Sequence, residues 1–250
     1  NVLSGNTTWM SSKAHQKIIK KFDACWVPDV KDKPNLTGKL GHLKKSKLNI
    51  VYLGPLSRFE KKQLAITNDL MVLLSGPEPQ RTMLEEKLLS ELQQFEGNIL
   101  FVKGKIEDEQ VVEEIQTPRG KIRHYNFMKS AELENAINQS DKVLCRSGYT
   151  TVMDLAKLEK RAFFIPTPGQ YEQEYLAKRM QKQGLVPFSS QEDFTVKDLS
   201  RIEEFSGLAQ FESTTDYSSL FEVFSATDTG ALAFSNVKEN SEPTSTSLST

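Results

Sequence analysis

Cysteine is scarce. Cys25 and Cys145 are the only two in 250 residues, too few for a disulfide framework or a Cys-rich zinc site. The three histidines, His15, His42 and His124, show no metal-ligand spacing, so no metal is expected. No apolar run approaches the roughly 20 residues of a membrane-spanning helix. Charge of one sign is not in excess: 32 basic against 33 acidic residues give a net −1, which argues against a nucleic-acid partner. Three motifs are missing. There is no G-x-x-x-x-G-K-[ST], against a P-loop NTPase, and no G-x-G-x-x-G, against a dinucleotide dehydrogenase. Ser147 sits in R-S-G-Y rather than G-x-S-x-G, against a hydrolase elbow. The start, NVLSGNTTWM, lacks the basic and apolar regions of a secretory leader. With Asn rather than Met first, we expect a piece of a longer or processed chain.

What is present is enough for one large domain, or one domain plus part of another. Charge is unevenly spread. Residues 1–50 hold ten lysines against three aspartates, a net +7, whereas residues 201–250 hold two basic residues against eight acids, a net −6. The basic stretch includes KIIKKF (17–22) and KKSK (44–47). It reads either as a contact for an anionic membrane surface or as a solvated helix face plus linker. Residues 235–250 are Ser/Thr/Glu-rich and expected to be disordered. Within 205–234, DYSSLFEVF (216–224) has the pattern of a short helix.

Between about 47 and 204 the pattern is regular. NIVYLG (49–54), DLMVLLS (69–75), NILFVKG (98–104), KVLC (142–145) and AFFIP (162–166) read as buried strands of one sheet. RTMLEEKLLSELQQF (81–95) places Met83/Leu84, Leu88 and Leu92/Phe95 on one helical face. Residues 130–140, 150–160 and 171–184 are also helical in pattern, the last ending at Gly184, a suitable cap. VVEEIQTPRGKIRHYN (111–126) predicts a hairpin turning at Pro118 and Gly120. Strand–helix alternation predicts an α/β fold, a parallel sheet with helices on both faces. Residues 1–46 do not continue it; they read as a helix (about 11–22) and a linker.

In such sheets ligands bind beyond the carboxyl ends of the strands. Four ends carry suggestive residues. Gly54-Pro55-Leu56-Ser57-Arg58 offers an arginine to a phosphate. Ser75-Gly76-Pro77-Glu78-Pro79 opens a helix, but its two prolines remove amide donors. Cys145-Arg146-Ser147-Gly148-Tyr149-Thr150-Thr151 bends at Ser-Gly into a helix whose first amides and hydroxyls suit a diphosphate. Asp154, one turn in, suits two ribose hydroxyls; alternatively, Thr151-x-x-Asp154 is a capping box. Finally, Pro166 to Gln173 ends a strand and opens a helix whose Glu172 and Gln173 suit sugar hydroxyls, or are ordinary helix-start polarity.

Together these segments resemble the carboxyl-terminal, donor-binding domain of GT-B glycosyltransferases. The nearest group is family 28, which contains the lipid II-forming N-acetylglucosaminyltransferases. The resemblance runs from about Asn49 to Pro187 and is most specific in VLCRSGYTTVMDLAKLEKRAFFIPTPGQYEQEYLAKRMQKQG. It implies a Rossmann-like sheet, the C-terminal half of a GT-B fold. By position it implies Phe127 and Met128 at the nucleobase, and Arg58 with Arg146, Ser147, Gly148, Tyr149, Thr150 and Thr151 at the phosphates. Asp154 falls at the ribose, and Glu172, Gln173 and Glu174 at the donor sugar. Where the family carries a Gly-Gly-Ser-x-Gly loop this chain has Ser-Gly-Pro-Glu-Pro, so the loop serine falls near Pro77 and its role does not carry over.

The implied activity is transfer of a hexose, N-acetylglucosamine or a relative, from a nucleotide donor, UDP expected, to an acceptor. It needs no cofactor or metal. The implied location is cytoplasmic, peripheral at the inner membrane face. Residues 1–46 are expected to be the remnant of an acceptor domain and its connection, which leaves no base to name. Two alternatives stay open: a sugar-nucleotide epimerase of the same fold, and a non-catalytic donor-binding subunit of a split transferase.

Overall fold

The computed structural model describes residues 17–42, 48–105 and 107–211, together with Ser218. The chain divides into two compact units, Asn1–Thr215 and Asp216–Thr250, and every element described belongs to the first. The helix expected at 216–224 and the tail at 235–250 lie outside the described residues, apart from Ser218. Of the helix expected at 11–22, residues 17–19 are helical and 11–16 lie outside the described residues.

Two short strands, β1 (Cys25–Val27) and β2 (Ile50–Tyr52), form a parallel pair of their own, with Cys25 opposite Ile50 and Val27 opposite Tyr52. This corrects the sequence reading, which put 49–54 in the main sheet. An apolar run of three or four residues marks a strand but not its partner, and β2 is only half-buried.

The main sheet contains β3 (Asn68–Leu73), β4 (Gly97–Val102), β5 (Val112–Thr117), β6 (Gly120–Tyr125), β7 (Ser140–Cys145) and β8 (Arg161–Phe164), in the order β5-β6-β4-β3-β7-β8. All neighbours are parallel except the β5–β6 hairpin at one edge. The hairpin turns at Pro118-Arg119, and Gly120 already pairs with Thr117.

Strand residues alternate between two cores, as a period of two requires. Met71, Leu100, Val143 and Phe164 face the first core, with α2 (Ser130–Asn138), α3 (Tyr149–Lys157) and α4 (Tyr171–Lys182) packed on it. Leu70, Val72, Phe101, Leu144 and Phe163 face the second. There α1 (Gln80–Glu91) packs through Leu84 and Leu88, beside the 3₁₀ stretch Val196–Glu204 through Leu199 and Ile202. Helices therefore cover both faces, and the buried strands are continuous Val/Leu/Phe runs because neither face meets water. Met83 departs from its expected face: it is 51% exposed, whereas Leu84, Leu88 and Leu89 of that helix pack on the second core.

Helix α4 ends as Gly184 suggests. Its φ is +69°, its N–H donates to Gln181 O (3.0 Å), and the Leu185 N–H donates to Met180 O (3.0 Å). That is the Schellman pairing a left-handed glycine permits. Segment 29–42 packs against α4. Leu36 is fully buried in the first core, and the Arg179 guanidinium donates to Asn35 O (2.9 Å), Asn35 Oδ1 (2.6 Å) and Leu36 O (3.2 Å).

Candidate functional site

The strand order reverses beside β3: the chain runs outward to β4 and β6, then returns to β7 on the other side. The carboxyl ends of β3 and β7 therefore flank the crevice where such sheets bind ligands. From β7 the chain bends through Arg146-Ser147-Gly148 into α3. Gly148 is the cap residue in an extended conformation (φ −69°, ψ 149°), and it supplies no side-chain cap to the first turn. The leading amides of α3, at Tyr149, Thr150 and Thr151, have no partner within a helix by construction. They carry the positive end of the helix dipole.

The capping-box alternative is not realised. Thr151 is the third residue of α3 rather than its cap, and Asp154 bonds elsewhere: its Oδ1 accepts from Ser57 Oγ (2.6 Å). Asp154 and Ser57, with Leu56, Arg58 and Thr150, line a cavity of about 530 Å³. Two segments distant in sequence thus meet there. Burial pushes the Asp154 carboxyl up from its ordinary value, opposed by the Ser57 hydrogen bond and the Arg58 charge. A part-buried carboxylate facing a cavity beside an exposed guanidinium is suited to accept hydrogen bonds from a hydroxylated, anionic ligand.

The sequence model of the glycosyltransferase family 28 C-terminal domain matches residues 79–205, just over half of the chain. The chain belongs to that family. A curated relative from Haemophilus ducreyi is 24% identical over 208 residues, covering 81% of this chain and 54% of its own length. It is a UDP-N-acetylglucosamine--N-acetylmuramyl-(pentapeptide) pyrophosphoryl-undecaprenol N-acetylglucosamine transferase. The chain thus spans about half the length of that relative. The crystal structure of Acinetobacter baumannii MurG superposes with a TM-score of 0.54 at 17% identity, covering 91% of this chain and 65% of the other. It supports the α/β, Rossmann-like fold.

Within this family 28 domain, Arg58, Thr150 and Asp154 share the cavity, while Gly148, Tyr149 and Thr151 adjoin it along the chain. Arg146 requires a correction. It is 1% exposed, and its guanidinium donates to Ile165 O (3.1 Å), Pro166 O (3.1 Å), Gln80 O (2.9 Å) and Gln191 Oε1 (2.7 Å). It ties the ends of β7 and β8 to the start of α1, and its charge is not presented to a ligand. The Ser147 hydroxyl is likewise engaged: the residue is fully buried and Oγ donates to Gln173 O (2.8 Å). Only its main chain belongs to the bend.

Gln173 is drawn inward as well. Its Oε1 accepts from Thr167 N (2.8 Å) and its Nε2 donates to Gln170 Oε1 (2.6 Å), so it shapes the 167–173 loop. Glu174 accepts from Gly169 N (3.1 Å). Glu172 is exposed, close enough to help raise the Tyr149 hydroxyl pKa to about 12, chiefly a burial effect. Tyr149 donates to Pro28 O (2.8 Å), joining the start of α3 to segment 28–37. At Phe127 the N–H donates to Asn126 Oδ1 (3.0 Å) and the carbonyl accepts from Gln110 Nε2 (3.0 Å). Met128 packs against the first core.

Two polar features escaped sequence reading. Ser57 is one: nothing in its neighbourhood marks a partner on α3. Asp29 is the other. Fully buried, it accepts from Val30 N (2.8 Å), Leu36 N (2.9 Å), Thr37 N (2.8 Å) and the Thr37 hydroxyl. It folds segment 29–37 into a closed loop; an Asp directly after a strand was the available signal. Among the described residues no cluster of three or more His, Cys, Asp or Glu side chains is placed to hold a metal ion.

A second cavity, about 150 Å³, is lined by Glu85, Lys103, Lys105, Glu107, Val111, Glu113, His124 and Asn126. His124 is 3% exposed and neither ring nitrogen has a hydrogen-bond partner among the described residues. Burial, reinforced by Lys103 and opposed by Glu113 and Glu85, lowers its pKa from the ordinary 6.5. The folded state thus keeps a neutral imidazole where the unfolded chain takes up a proton below 6.5. Stability is therefore lost as pH falls below that value, by up to about 1.4 kcal/mol per pH unit until the folded pKa is reached. Thermal melts at pH 7.5 and 5.5 should show a larger drop for the wild type than for His124→Phe. Equal drops would show that His124 does not carry this dependence.

Proposed function

We propose that this chain is the nucleotide-sugar-binding half of a glycosyltransferase. In this reading it moves N-acetylglucosamine or a related hexose from a UDP donor to an acceptor hydroxyl. The observation that carries it is the Asp154 cavity, opened by Arg58 and by the uncapped start of α3 at the carboxyl ends of β3 and β7. Membership in family 28 and likeness to the Haemophilus ducreyi transferase, whose name carries UDP-N-acetylglucosamine, support the donor.

The diphosphate lies against the Tyr149–Thr151 amides with Arg58 beside it, and the ribose hydroxyls donate to Asp154. The donor sugar falls to Glu172, the exposed member of the 172–174 group, with Gln173 and Glu174 shaping the loop behind it. The acceptor oxygen displaces the nucleoside diphosphate at the anomeric carbon. Charge gathers on the departing phosphate, where fixed amides and an arginine stabilise it. Such preorganised donors are worth about 2.7–4 kcal/mol each in comparable sites. No metal is required in this reading. Among the described residues that line this cavity Asp154 is the single carboxylate, whereas an epimerase needs an acid opposite its base.

Lys17, Lys20 and Lys21 stand beside exposed Ile18 and Phe22. This basic, apolar-edged surface suits peripheral contact with an anionic membrane, and it supports a position at the cytoplasmic face.

Isothermal titration of UDP into the chain tests the proposal. One molecule should bind per chain, with competition from UDP-N-acetylglucosamine. Absence of binding, or equal preference for ADP, contradicts it.

A further inference from the structure

The two walls of the 530 Å³ cavity come from segments far apart in sequence, and one side chain joins them. Ser57 Oγ accepts from the Phe59 N–H (3.0 Å) and lies 2.6 Å from Asp154 Oδ1. With a main-chain N–H on one of its lone pairs, the hydroxyl turns its own proton to the carboxylate. The loop that carries Ser57 is held at a second point. The Phe59 ring is 2% exposed in the first core, and the Arg58 guanidinium lies over it, 5.0 Å from the ring centroid. Phe59 thus anchors the loop in the core and Ser57 anchors it on α3, with Arg58 between the two anchors. Arg58 is the charged group that acts on the Asp154 carboxyl. The other charges on the elements around it pair among themselves: Lys157 of α3 with Glu60 (3.7 Å), Lys61 with Glu159, and Lys62 with Glu134 of α2 (2.7 Å).

We infer that Ser57 is a positioning residue of the donor site: its hydroxyl holds the Asp154 carboxylate in one orientation and ties the Arg58 loop to α3. This rests on the donor-site reading above. The bond closes neither carboxylate oxygen to the ligand, since each keeps a lone pair. Burial favours the protonated acid at Asp154, and the Ser57 hydrogen bond opposes it. Without that hydroxyl the carboxyl takes up a proton at higher pH, and it loses the charge that strengthens its bonds to sugar hydroxyls.

The test is calorimetric titration of UDP at pH 7.5 and pH 5.0 into wild type, Ser57→Ala and Ser57→Thr. Ser57→Ala should bind UDP about fivefold more weakly than wild type at pH 7.5. The deficit should grow by about twofold or more at pH 5.0, because the variant's carboxyl protonates first. Protonation of UDP itself affects all three chains alike, so the ratio to wild type isolates Asp154. Ser57→Thr keeps the hydroxyl and should match wild type within about twofold at both pH values. A folded Ser57→Ala chain that binds UDP as well as wild type overturns the inference. So does a deficit that is the same at the two pH values, as a purely structural loss would give, or one that Ser57→Thr shares. Should Ser57→Ala fail to fold, Ser57→Val against Ser57→Thr, matched in shape, reads the hydroxyl alone by the same criteria. If wild type binds no UDP, the donor-site reading itself fails, an outcome distinct from these.

Discussion

Arg146→Met should cost about 3–5 kcal/mol of folding stability, the scale on which breaking a buried charged network registers. The guanidinium is the largest of the fully buried side chains. It reaches three carbonyl oxygens and one amide oxygen contributed by the ends of α1, β8 and the 191 loop. Methionine fills much of the volume but leaves the Ile165, Pro166 and Gln191 oxygens without this donor, while Gln80 O keeps the Leu84 N–H within α1; each buried acceptor without a donor costs about 1–3 kcal/mol. Relief of the buried charge offsets part of this. Burial lowers the arginine pKa to about 10, still well above neutrality, so a cation is what the fold pays to desolvate. Arg146→Lys should recover only a fraction, since an ammonium lacks the planar fork. Urea denaturation monitored by circular dichroism gives the numbers. A loss below about 1 kcal/mol in the methionine variant would show that the Ile165, Pro166 and Gln191 oxygens find other donors.

Asp154→Ala should weaken UDP binding by about 10–100-fold, or roughly 1–3 kcal/mol for a charged hydrogen bond. It should do so without loss of stability. Because burial raises the Asp154 pKa above the ordinary 3.8, the folded state holds its proton more tightly than the unfolded chain. Ionisation at neutral pH therefore opposes folding, and the variant should melt at the same temperature or slightly higher. That pairing, function lost and stability kept, is the signature of a group retained for binding. Unchanged affinity, or affinity lost together with the fold, speaks against the ribose role.

The fold was legible where its physics is local. Continuous apolar runs such as Leu70 to Leu73 can satisfy only a strand buried on both faces, and Pro118 beside Gly120 can only turn a hairpin. The bend at Ser147-Gly148 was legible because a small-residue turn between a strand and an amphipathic stretch has few other uses. What failed was decided by tertiary partners. Arg58 and Arg146 each follow a strand, and sequence gives no reason to send one to solvent and the other beneath the β8 end. The carbonyls of Ile165 and Pro166, 19 and 20 residues away, make that choice. The same holds for Ser57, whose partner Asp154 lies 97 residues on. Strand β2 was recognised as a strand and assigned to the wrong sheet, because three residues of Ile-Val-Tyr carry no record of their neighbour.

The central claim is that one cavity, between the Ser57–Arg58 loop and the start of α3, holds the donor nucleotide. A crystal structure of the chain with UDP tests it most directly. The pyrophosphate should lie within hydrogen-bond distance of the main chain at Tyr149–Thr151, and the ribose hydroxyls should lie on the Asp154 carboxylate. UDP found at any other surface, with the Asp154 cavity filled by solvent alone, would contradict it.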